Sequence, residues 1–135
     1  MNNQIEIIYK GNLRTVATHL ASSSEITTDA PIDNQGKGEK FSPTDLMATA
    51  LGSCMLTIMG ITANVHNIDI GNTKVKVEKI MGKDPRRIAQ INMEIIFKSK
   101  ISNKDKVILE RAAKHCPVAK TLENNIKENI KFIYP

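Results

Sequence analysis

The chain contains no tryptophan, and aromatic residues make up only 4% of it. Its core must therefore be built from Ile, Val, Leu, Met and Ala. Cysteine is nearly as scarce, with only Cys54 and Cys116, too few for the disulfide framework of a small secreted domain. A reduced, cytoplasmic protein is expected instead. Residues 1–6 are polar and acidic, without the basic segment and apolar run of a secretory leader. There is no nucleophile elbow, Walker loop or dinucleotide fingerprint. The formal net charge is +5, but no arginine-rich arm, aromatic interleaving or zinc-finger spacing accompanies it, so no nucleic-acid partner is expected. Cys54, His66, His115 and Cys116 lack the close spacing of a zinc site, and no resident cofactor or metal is expected. Residues 46–65 carry no charge over about the length of a membrane span. Thr49, Gly52, Ser53, Thr57, Gly60, Thr62 and Asn64 interrupt that run, which fits a buried helix of a soluble protein better than a membrane segment.

What is present reads as a single α+β domain over residues 1–135. Ile5, Ile7 and Tyr9 alternate with Glu6, Ile8 and Lys10 in the period of a half-buried strand. Gly11-Asn12 offers a turn into a returning strand from Arg14 to Leu20, and Glu25 to Thr28 makes a third strand closed by Asp29. Residues 33–40, with Gly36 and Gly38, read as a mobile loop. Ser42-Pro43 is an N-cap followed by proline at the first helical position, and Asp45 places a negative charge in the first turn. The central helix then runs to about Val65. Leu46, Ala50, Cys54, Ile58 and Ile61 form its stripe, Met47, Leu51, Met55 and Met59 widen the apolar surface, and Gly52, Ser53 and Gly60 allow a close neighbour. A second hairpin turns at Met81 to Pro85. Ser102 and Asp105 open a helix to about His115, Pro117 opens another to about Ile126, and Ile130, Phe132 and Tyr134 finish the chain as a strand.

The two cysteines differ in their local chemistry. Cys116 directly precedes Pro117, so it stands at a helix N-terminus beside His115, with Lys114 and Lys120 near in sequence. Such a position is expected to stabilise a thiolate. Cys54 falls on the apolar stripe of the central helix, where burial raises a thiol's pKa. On these residues alone the pair is either two unrelated core thiols or a redox couple.

Two segments carry a family resemblance. Residues 41–54, FSPTDLMATALGSC, resemble the central-helix motif of the OsmC/Ohr superfamily, and residues 115–122, HCPVAKTL, resemble its second motif. The order of elements is similar along essentially the whole chain. The resemblance implies an OsmC-like fold in an intertwined homodimer, with active sites at the interface. It implies organic-hydroperoxide reduction, in which Cys54 is the peroxidatic nucleophile and Cys116 resolves its sulfenic acid as a disulfide. An external dithiol-bearing protein, such as a lipoyl carrier, would then reopen that disulfide. Arg14 is similar in position to the family's active-site arginine, whose guanidinium stabilises the thiolate and polarises the peroxide.

The chain departs from the family pattern immediately after Pro43. Thr44 stands where characterised hydroperoxide reductases carry a glutamate bonded to the arginine. Glu39 and Asp45 are the candidate replacements. The rival reading is a non-catalytic protein that keeps the fold and binds a small hydrophobic or thiol-reactive ligand.

Overall fold

In the computed structural model, which describes residues 4–135, the chain forms two compact units, Met1–Leu46 and Met47–Pro135. The first is a three-stranded antiparallel sheet in the order β1 (Ile5–Gly11), β2 (Arg14–His19), β3 (Ser24–Asp29). Asn12 and Leu13 close the first hairpin with φ of 54° and 62°, the left-handed pair that suits the twist of a two-residue β-turn. Thr28, Asp29 and Ser42 are the buried ones among the described residues of this unit. Many of its large apolar side chains lie exposed, among them Ile5, Ile7, Ile8, Tyr9, Ile26 and Phe41, while Val16, Leu20 and Leu46 are half-buried.

Residues 33–40, expected as a mobile loop, are irregular but tied down. A 3-10 turn spans Ile32–Asn34, and the amides of Gly36 and Gly38 donate to the carbonyls of Pro31 and Ala30. A Cβ at Gly36 would lie 1.8 Å from the Ala30 carbonyl oxygen, so no other residue fits there without moving the backbone. Phe41 then bridges back to Thr28, and its carbonyl accepts from the Asp29 amide.

Helix α1 (Pro43–His66) starts in the first unit. Ser42 and Asp45 cap it reciprocally: the Asp45 amide donates to Ser42 Oγ at 3.0 Å, and the Ser42 amide donates to Asp45 Oδ2 at 2.9 Å. α1 is long and apolar enough to cross a membrane. Its buried residues are Ala48, Leu51, Gly52, Met55, Met59 and Ala63. The inward stripe therefore runs through Leu51, Met55 and Met59, expected only to flank it, while Ala50 and Ile61 are exposed and Cys54 and Ile58 half-buried.

The second unit contains the hydrophobic core. Strands β4 (Lys74–Gly82) and β5 (Arg87–Ile96) form the expected hairpin, and β6 (Lys127–Ile133) joins β5 in parallel. Helices α2 (Asn103–Lys114) and α3 (Pro117–Leu122) make the crossover that a parallel pair requires. Ser102 Oγ accepts from the Asp105 amide at the start of α2, as the capping pattern predicts. α3 stops four residues earlier than its sequence suggests, because Glu123 turns extended and Asn124 takes a φ of 72°. Ile91, Met93, Ile95, Leu51, Met55, Leu109 and Cys116 belong to one buried cluster. Gly52 brings α1 close to β4, since a Cβ there would lie 3.2 Å from Val77 and 3.3 Å from Val75.

The architecture is the expected α+β arrangement of hairpin, central helix, hairpin, two helices and final strand.

Candidate functional site

The central helix and the α2–α3 junction bring the two cysteines together in the second unit. Pro117 ends the run of α2 and begins α3, which leaves Cys116 as the N-cap of the shorter helix. Its Sγ accepts from the Ala119 amide at 3.3 Å and is fully buried. Cys54 sits half-buried on α1, packed against the core cluster that contains Cys116, and its thiol is near enough to raise that of Cys116. Both are free thiols.

The electrostatics reverse the expectation for Cys116. Burial pushes its thiol up to about 11, against which the Ala119 amide acts only partly, and the neighbouring Cys54 sulfur raises it further. A single turn of helix cannot offset removal from water. His115 gives no help, because it closes α2 from an exposed position with Nδ1 2.8 Å from the Arg111 carbonyl oxygen. Cys116 is thus a protonated thiol at neutral pH.

A separate constellation forms in the first unit. Arg14 opens β2 and lies directly opposite Asp29, the last residue of β3. Its Nε donates to Asp29 Oδ1 at 2.7 Å and its Nη2 to Asp29 Oδ2 at 2.9 Å, a two-point pairing of fork with carboxylate. The Glu39 amide completes the carboxylate's shell at 3.1 Å. Asp29 is 2% exposed, and the Arg14 guanidinium holds its carboxyl below the usual range despite burial. Glu39 also reaches Arg14 Nη2, but at 3.5 Å from an exposed position.

The candidate carboxylates therefore separate. Among the described residues Asp29 and Glu39 are the acidic partners of Arg14, with Asp29 the closer and the buried one. Asp45 serves the cap of α1. Thr44 shares a hydroxyl hydrogen bond with Ser42 at 3.1 Å. In the sequence Asp29 marks only the end of a strand, yet the register carries a signal. An antiparallel pair that turns through residues 20–23 places position 14 opposite position 29. No group of three or more His, Cys, Asp or Glu among the described residues is arranged to hold a metal ion.

A family profile described as OsmC-like protein matches residues 36–131. Among solved structures, a protein of Psychrobacter arcticus, provisionally named an osmotic stress induced and detoxification response protein, is similar with 48% identity. The alignment covers 98% of this chain and 96% of that one, with a TM-score of 0.93. An OsmC like protein from Mycoplasma pneumoniae matches with 20% identity and a TM-score of 0.83, covering 99% and 97% of the two chains. The organic hydroperoxide resistance protein OsmC of Legionella pneumophila shares 14% identity with a TM-score of 0.78, over 98% and 97%. No curated protein matches the chain.

Proposed function

The chain belongs to the OsmC-like protein family, and from that premise we propose that it reduces organic hydroperoxides through Cys54 and Cys116. The placement of both thiols in one apolar cluster, Cys116 within it and Cys54 packed against it, carries the proposal. Cys54, as thiolate, attacks one oxygen of the hydroperoxide. The O–O bond breaks, the second oxygen leaves as an alcohol after taking a proton, and Cys54 becomes a sulfenic acid. The Cys116 thiol then displaces that hydroxyl as water and forms the disulfide before further oxidation. An external dithiol, such as a lipoyl group on a carrier protein, reopens the disulfide by exchange and leaves as its own cyclic disulfide.

The environment of the pair suits this division of labour. A thiol pushed up to about 11 does not compete as nucleophile at neutral pH, which leaves the half-buried Cys54 to meet substrate. The apolar cluster against which Cys54 packs favours an alkyl or aryl hydroperoxide over hydrogen peroxide. Arg14 supplies the guanidinium that stabilises the thiolate and polarises the peroxide. The working form is a cytoplasmic homodimer with two active sites at its interface, a reading supported by the uncovered apolar side chains of the first unit. The detoxification role in the name of the Psychrobacter protein agrees with it.

The test is stoichiometric oxidation of the reduced protein by cumene hydroperoxide, followed by intact mass and peptide mapping. Rapid formation of an intrachain Cys54–Cys116 disulfide, with slower reaction toward hydrogen peroxide, is the expected result. Survival of both thiols in excess peroxide would defeat the peroxidase reading and favour the non-catalytic, ligand-binding one.

A further inference from the structure

We propose that Asp29 is the positioning residue for Arg14, and that this chain anchors its functional arginine across a strand pair rather than from the start of the central helix. The inference rests on the reading of Arg14 as activator of Cys54. Its own observations lie within the first unit.

An arginine side chain has four rotatable bonds and would sample many orientations from a strand end. Here two of its three nitrogens are fixed by one carboxylate, at 2.7 and 2.9 Å. That carboxylate cannot drift. It is 2% exposed, it lies opposite Arg14 in the β2–β3 register, and the Glu39 amide holds its second oxygen. The amide is itself placed by the tied loop, in which Gly36 and Gly38 donate to Pro31 and Ala30. Arg14 Nη1 is engaged by none of the described residues. The anchored fork therefore presents a fixed edge with free donors, the geometry by which a guanidinium receives a thiolate or a peroxide oxygen.

The same arrangement accounts for Thr44. A carboxylate at the helix start is dispensable once β3 supplies one, and Asp45 is then free to serve the helix cap. Glu39 is a weaker neighbour, since its contact is 3.5 Å and its side chain 61% exposed, where solvent screens the attraction.

The experiment compares Arg14→Met, Asp29→Asn, Asp29→Glu and Glu39→Gln in the full-length protein. The readout is the pH–rate profile of Cys54 alkylation by iodoacetamide, assigned by peptide mapping. Alkylation reports the thiolate whatever the natural substrate, so it stays separate from peroxide turnover. Arg14→Met is expected to move the profile upward by about one pH unit, the effect of losing a neighbouring opposite charge. Asp29→Asn is expected to match it, and the double variant to move no further, because Asp29 acts through Arg14. Should Asp29→Asn fail to fold, Asp29→Glu keeps the charge but displaces the fork by a methylene, and its profile should lie between wild type and Arg14→Met. A wild-type profile in the Asp29 variants, beside a shifted Arg14→Met, overturns the inference and leaves the arginine reading intact. An unshifted Arg14→Met removes the arginine from the mechanism and the inference with it. A larger shift in Glu39→Gln than in Asp29→Asn would transfer the anchoring role to Glu39 and likewise overturn the proposal.

Discussion

At Cys116 two effects of opposite sign meet on one sulfur. The helix start and the Ala119 amide favour a thiolate, whereas complete burial and the adjoining Cys54 oppose it, and burial wins. The consequence reaches beyond catalysis, because a thiol that ionises near 9.0 when solvated and at about 11 when folded links stability to pH. Below the lower value both states hold the proton, and pH has no effect through this group. Above it the unfolded chain releases the proton while the folded chain keeps it, so the stability of the reduced protein falls as pH rises toward the folded value. Urea melts of wild type and Cys116→Ser across that window should diverge, with the steeper loss in wild type. Contributions common to both proteins cancel in the difference. Parallel curves would mean that Cys116 is already ionised in the folded state, and its assignment as the resolving thiol would weaken. Asp29 shows the other side of such local balances: it too is buried, yet a two-point cation outweighs desolvation and its carboxyl is held low.

On the central helix, Gly52 and Gly60 look alike in sequence and are not alike in the fold. A side chain at Gly52 would press on Val75 and Val77 of β4, whereas nothing lies within 4 Å of a Cβ at Gly60. Gly52→Val is therefore expected to cost about 1–3 kcal/mol through overpacking. Gly60→Ala should stabilise the isolated chain by up to about 1 kcal/mol through helix propensity. Thermal melts of the two variants check both signs, and a strongly destabilising Gly60→Ala would reveal a neighbour at that face from another subunit. The same contrast explains what sequence reading could reach. Caps and breakers are local, so Ser42–Asp45, Ser102–Asp105 and Cys116–Pro117 were legible from the residues themselves. Which side of an all-round apolar helix faces inward depends on β4 and β5, and so the pattern of α1 alone does not single out the stripe through Leu51, Met55 and Met59. The parallel pairing of β6 with β5 also lay out of reach, because it is set by the crossover through α2 and α3. The Arg14–Asp29 pair lay between these limits: it follows from register, but only once the turn at residues 20–23 is recognised.

For the molecule as a whole, the unequal distribution of burial between the two units bears on assembly. The buried apolar side chains of the second unit form its core, while among the described residues of the first Thr28, Asp29 and Ser42 are the buried ones. Strand register sets Ile7, Ala17 and Ile26 in one row across the first sheet, and Ile7 and Ile26 are 66% and 50% exposed. A three-stranded sheet with an uncovered apolar face is expected to gain stability by burying it. The proposed homodimer provides that burial, and Ile7→Glu separates the alternatives. In a monomer a substitution at so exposed a position changes stability by no more than about 0.5 kcal/mol. In a dimer that covers the row, the charge must be desolvated at the interface. Light scattering should then show wild type at twice the chain mass and Ile7→Glu shifted toward the monomer, with a melting temperature that falls on dilution. A wild type that scatters as a monomer, with Ile7→Glu melting alongside it, would require the active site to be complete within one chain.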